Sequence, residues 1–116
     1  MIEVERVDFV SVPTQDIERA KRFYGGTLGL PENGPNEFSA GNVTLGLWEP
    51  ARDGEEFAPN PAGIALRVPD VEAARHELEA VGVRFAAETV DTGVCHMAFL
   101  TDPDGNCLIL HRRYAP

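Results

Sequence analysis

The residues best equipped for chemistry in this chain are Cys107 and His111, four positions apart in the run Cys107-Leu-Ile109-Leu-His111. On a strand, every second side chain shares a face, so Cys107, Ile109 and His111 point the same way. An imidazole can exchange protons near neutral pH, and a thiolate can act as nucleophile or metal ligand. These two are the candidate acid–base groups. His111 reads equally as a strand-end residue on a pocket rim, whereas Cys107 reads first as a small reduced packing residue and only second as a reactive thiol. His76 sits among Arg75, Glu77 and Glu79 and reads as a solvated helix position. Cys95 and Cys107 supply neither a disulfide framework nor a zinc-ligand spacing.

The elements that must position these groups come in two similar sets. Val10-Ser-Val-Pro-Thr-Gln-Asp16-Ile17-Glu18-Arg19-Ala20 is followed by Ile64-Ala-Leu-Arg-Val-Pro-Asp70-Val71-Glu72-Ala73-Ala74. Each copy reads as an apolar strand, a Pro-containing turn, an Asp able to cap a helix, and an amphipathic helix. In the first copy the strand is predicted over Val4–Val12. The helix carries Ile17, Ala20, Phe23 and Tyr24 and stops at Gly25-Gly26. Pro31–Pro35 reads as turn-rich. Glu37–Ala40 and Asn42–Trp48 read as two strands joined at Gly41. In the second copy, Gly63–Val68 is a strand, and a helix with Val71, Ala74, Leu78 and Val81 ends at Gly82. Val83–Phe85, Val94–Leu100 and Cys107–His111 follow as strands, with a strong turn at Asp102-Pro-Asp-Gly105-Asn. The expectation is one α+β domain over 1–116, built from two tandem βαβββ units in a cupped, mostly antiparallel sheet with helices outside. Unit one covers about 4–50, a Pro-, Gly- and acid-rich linker 49–62, and unit two 63–113.

Bulk properties exclude several functions. The net charge of −9 disfavours a nucleic-acid partner and an anionic membrane surface. No apolar run reaches the length of a membrane span, and the N-terminus shows no signal-peptide pattern. A cytoplasmic location is expected.

In this order and spacing, the motifs resemble the vicinal oxygen chelate superfamily, which includes glyoxalase I, bleomycin and fosfomycin resistance proteins and extradiol dioxygenases. The resemblance rests on Asp16-Ile-Glu-Arg-Ala-Lys-Arg-Phe23-Tyr24, Thr27-Leu-Gly-Leu30, Val68-Pro-Asp70-Val71 and Ala98-Phe-Leu-Thr-Asp102-Pro-Asp-Gly105-Asn, and covers nearly the whole chain. It implies paired βαβββ units, a cupped sheet and a homodimer. It also implies a divalent metal held by His and Glu on the concave face, which polarises vicinal substrate oxygens. By that resemblance two ligands lie seven residues before the capping aspartates, at Phe9 and Gly63. A third falls on Gly46. The fourth, seven residues after Asp102, falls on Ile109. None of these side chains can coordinate a metal, and Cys107 and His111 alone do not replace them. No cofactor is expected. By the same resemblance Met97 and Phe99 face the cup, and His96 lies on the other side in a structural role.

The concave face then reads as Phe9, Trp48, Met97, Phe99 and Ile109. Gly46, Gly63 and Ala65 leave room, and Ser11, Thr44, Arg67, Cys107 and His111 are its polar points. Trp48 and Phe9 can stack on a planar ligand. The acidic linker (Glu49, Asp53, Glu55, Glu56) would suit a cation. The favoured expectation is a metal-independent protein that binds a small aromatic or cationic molecule, resembling the bleomycin-resistance branch. The alternatives are a lyase, isomerase or dioxygenase with a non-standard or metal-free site using His111 or Cys107, and an interaction module.

Overall fold

Asp16 and Asp70 start equivalent helices in the same way. Each is extended, and each carboxylate accepts from a backbone N–H three residues on, Arg19 at 3.1 Å and Ala73 at 3.0 Å. The bond satisfies one of the donors that a first helical turn leaves open. The computed structural model describes residues 1–116, and contacts divide them into Met1–Phe57 and Ala58–Pro116.

The first unit runs β1 (Val10–Pro13), α1 (Ile17–Lys21), β2 (Glu32–Gly34), β3 (Glu37–Ser39) and β4 (Thr44–Trp48). Its sheet order is β1-β4-β3-β2, with β1 parallel to β4 and the other pairs antiparallel. The second unit repeats this with β5 (Ile64–Arg67), α2 (Val71–Ala80), β6 (Val90–Asp91), β7 (Cys95–Thr101) and β8 (Cys107–Arg113). Its order is β5-β8-β7-β6, again with only the first and last strands parallel. The fold is α+β, two βαβββ units with a four-stranded mixed sheet in each.

Alternation along the strands gives each sheet one buried and one open face. In the first unit Val12, Phe38, Leu45 and Leu47 join Ala20, Phe23 and Tyr24 of the helical segment in a core. In the second, Ala98, Leu100, Leu108 and Leu110 alternate with partly exposed residues, and α2 packs on β7 and β8 with Val71 and Leu78 buried. Burying such side chains contributes about 1.5–3 kcal/mol each relative to leaving them exposed.

Several elements differ from the sequence expectation. The strand predicted from Val4 begins at Val10, because its partner β4 begins at Thr44 and offers no ladder further back. Gly25 and Gly26 do not stop the first helix. It continues through Arg22–Thr27 as a π-helical turn, with Leu28 N–H donating to Phe23 C=O at 2.8 Å. The left-handed residue is Gly29, at φ +74°. Gly25 serves close packing instead: a Cβ there would lie 2.9 Å from Cε1 of the buried Phe38 ring. β2 lies in the stretch read as turns; it is a short edge strand whose polar residues pair only with β3. Val83–Phe85 contributes a single bridge, Phe85 to Leu100, and β6 takes the outer place in the sheet. Within the linker, Pro50–Asp53 forms a 3₁₀ turn closed by Gly54 at φ +73°. Gly82, by contrast, ends α2 with φ +93°, as its position implied.

Candidate functional site

The residues singled out for the concave face lie on the open faces of the two sheets. In the first unit, the β1–β4 register sets Ser11 beside Gly46 and Pro13 beside Trp48. Thr44, Gly46 and Trp48 therefore share the face that carries Ser11, opposite to buried Leu45 and Leu47. Phe9 is 58% exposed, and its ring approaches this face over Gly46, with Cδ1 3.5 Å from where a Gly46 Cβ would stand. Trp48 is 38% exposed, and its indole N–H donates to Asp53 Oδ2 at 2.8 Å. That bond holds the indole in one orientation, presenting an aromatic surface with little rotamer freedom left to lose. Glu37, which the sequence reading did not single out, stands opposite Gly46 on the same face. The alternation of Glu37, buried Phe38 and Ser39 was the signal that could have found it.

In the second unit, successive rows across the open face are Arg67–His111–Met97–Val90 and Ala65–Ile109–Phe99. Cys107 lies on this face opposite Thr101, and Arg113 opposite Cys95. Cys107 and His111 thus share a face, separated by Ile109. Gly63 lies just before β5 and does not leave room. A Cβ there would fall 2.6 Å from Ile109 Cδ1, 2.7 Å from Cγ1 and 3.0 Å from Cys107 Sγ. The space above Gly63 is already filled. The same arrangement recurs, more loosely, at Phe9 and Gly46. In each unit the two positions that resemblance assigns to metal ligands form a large–small apolar pair. No group of three or more His, Cys, Asp or Glu side chains is arranged to hold a metal ion. The residues present do not fit a metal.

His96 points to the other side of β7 from Met97. Its ring stacks on Tyr114 at 4.6 Å between centroids, and its Nε2 lies 3.4 Å from Asp91 Oδ2. Asp91 Oδ1 accepts from Gly93 N–H at 2.8 Å and from the Tyr114 hydroxyl at 2.7 Å. These bonds, the Gly93 amide foremost and Tyr114 next, hold the Asp91 carboxyl below its ordinary 3.8, with nearby His96 acting the same way. The Asp91 carboxylate in turn raises the Tyr114 phenol. A depressed carboxyl contributes stability above its unfolded pKa and loses it as pH falls through the folded one. Tyr114→Phe is expected to move the Asp91 midpoint upward, as read by NMR of the side-chain carboxyl. An unmoved midpoint would assign the whole depression to the remaining partners.

Elsewhere in the first unit, a hollow of about 490 Å³ lies among Glu18, Lys21, Arg22, Gly25, Leu30, Glu32 and Phe38. Its two acids and two bases balance, and it contains none of the residues singled out above.

The paired units and their open faces define a class that comparison with known proteins identifies. The chain belongs to the Glyoxalase/Bleomycin resistance protein/Dioxygenase superfamily, whose model matches residues 6–110. Among solved structures it is similar to a member of that superfamily from Sphaerobacter thermophilus, at 25% identity and TM-score 0.79, covering 93% of this chain and 97% of that one. It is similar to TnmS3, an antibiotic binding protein from a Streptomyces species, at 26% identity and TM-score 0.78, covering 98% and 100%. A lactoylglutathione lyase from Agrobacterium tumefaciens shares the fold at 16% identity and TM-score 0.78, covering 94% of each chain. No curated protein sequence matches the chain significantly. No helix is long and apolar enough to cross a membrane.

Proposed function

We propose that this protein binds a small aromatic molecule without a metal, as a sequestration protein rather than a lyase or dioxygenase. The observation that carries the reading is the filling of Gly63 by Ile109 and Cys107, mirrored by Phe9 over Gly46. Where metal-dependent relatives need ligands and open coordination positions, this chain has apolar contact. Its likeness to an antibiotic binding protein supports the same direction. The oriented Trp48 indole supplies a stacking surface, and Phe9 a second exposed ring. Of the linker acids, Glu49 pairs with Arg52 at 3.3 Å and Asp53 accepts from the Trp48 indole, so a cationic ligand would draw on Asp53, Glu55 and Glu56 rather than on Glu49. The half-buried free cysteines Cys95 and Cys107 suit a reducing cytoplasm. The exposed apolar side chains of Ile2, Val4, Val7 and Phe9 suit a homodimer, which a sedimentation mass would test.

Two measurements on one sample test the function. Elemental analysis of protein purified without chelator is expected to show no stoichiometric divalent metal after dialysis. Titration with aromatic compounds is expected to quench Trp48 fluorescence saturably. Stoichiometric metal, or quenching by none of a broad aromatic panel, would count against the proposal.

A further inference from the structure

The open face of the second sheet has an unusual charge pattern for so acidic a chain. Arg67 stands directly opposite His111 in the parallel β5–β8 register, with strands about 4.8 Å apart. Arg113 lies two residues beyond His111 on the same face, about 6.8 Å further along. No strand residue on this face is acidic; the one carboxylate on these strands, Asp91, belongs to the His96 side. The ion pairs Arg6–Asp8, Glu49–Arg52, Arg75–Glu79 and Asp91–His96 leave Arg67 and Arg113 unused. Both arginines are exposed, whereas His111 is half-buried. Beside them, Met97, Phe99, Ile109 and Ala65 make a continuous apolar floor.

We propose that this face receives the anionic end of an aromatic carboxylate, with its ring on Met97, Phe99 and Ile109 and its carboxylate between Arg67, His111 and Arg113. The assignment rests on the small-molecule binding reading above and supplies its ligand class. A guanidinium presents paired N–H donors that match a carboxylate, and such bonds strengthen beside apolar surface. The apolar floor alone would accept any planar ligand; the cationic end selects among them. Two unneutralised arginines on one sheet face repel each other, and an anion relieves that repulsion.

Calorimetric titration of the full chain with three probes of one shape tests the proposal: 2-naphthoate, 2-naphthylmethanol and 2-naphthylmethylammonium. Naphthoate is expected to bind at least about tenfold more tightly than the alcohol, with the ammonium weakest. Its advantage should shrink as sodium chloride is raised, while binding of the alcohol stays level. In Arg67→Gln/Arg113→Gln the naphthoate and alcohol affinities should converge, with the alcohol's own affinity retained as proof of an intact face. Equal binding of all three, or preference for the ammonium, overturns the anion assignment and leaves the binding reading standing. A naphthoate preference that survives in the double variant places the carboxylate elsewhere and overturns the site. Binding of none of the three overturns the anion assignment, and the Trp48 quenching panel then decides separately whether the binding reading falls with it. A stable dimer that the double variant dissociates would show this face occupied by a second copy, and would also overturn the proposal.

Discussion

Asp102→Ala is expected to destabilise the protein by about 3 kcal/mol, lowering the thermal midpoint by roughly 10–15 °C in a chain of this size. Asp102 is 4% exposed and sits at the head of the turn before β8. Its Oδ1 accepts from the Asp104 and Asn106 amides, both at 2.9 Å, and its Oδ2 from Asn106 Nδ2 at 2.8 Å. Asn106, 2% exposed, passes the connection on by accepting from Asn60 N–H at 2.8 Å. One carboxylate therefore orders the turn, and through Asn106 it anchors the segment that leads into β5. Alanine would leave three buried donors without that acceptor. Hydrogen bonds to an ionised acceptor are worth about 1.5–3 kcal/mol each, and their losses do not add fully. Urea unfolding at neutral pH measures the effect. A change under 1 kcal/mol would mean that water replaces the carboxylate and that the turn does not depend on it.

Gly63→Ala is expected to cost about 1–3 kcal/mol through overpacking, although alanine is ordinarily easier to order than glycine. Gly63 is not in the left-handed region, so backbone strain is not the reason. The reason is the pair of Ile109 carbons at 2.6 and 2.7 Å from the new Cβ, with Cys107 Sγ at 3.0 Å behind them. Ile109 is only half-buried and can swing away, which keeps the cost at the lower end. The double variant Gly63→Ala/Ile109→Ala should recover part of the loss, giving a favourable coupling in a double-mutant cycle. Simple additivity of the two changes would show that the side chains do not compete for the same space. The corollary concerns metal chemistry: a ligand side chain placed at Gly63 alone meets Ile109 first.

What the sequence displayed well was local. The capping aspartates, the C-terminal Gly82 of α2 and the Asp102–Asn106 turn each depend on neighbouring residues, and each could be read directly. The doubled strand–helix motif revealed the two-unit plan and the superfamily. What the sequence displayed poorly depends on distant partners. The length of β1 is limited by β4, and the polar segment Glu32–Gly34 becomes a strand only because β3 lies beside it. Gly25 looked like a helix stop, yet its role is set by the Phe38 ring approaching from another strand. At the candidate site, strand parity separates the buried from the open positions of β4 and β8 but could not show that Ile109 fills the space above Gly63. Glu37 and Arg113 escaped notice because one lies on a short strand judged by its neighbours and the other lies beyond the expected end of β8.

The strand order has a consequence for how the molecule is made. In the second sheet, β8 is made after β5, β6 and β7, yet it sits between β5 and β7. Ile64 waits for Leu108, and Phe99 waits for Ile109, so neither neighbour has its ladder until β8 arrives. Closing so long a loop is slow relative to local helix formation, and unpaired strand edges stay open meanwhile. During translation each unit can complete its sheet only once its own last strand, β4 or β8, is available. Chains interrupted before Cys107 would carry two naked inner edges, a form inclined to stick to its own kind.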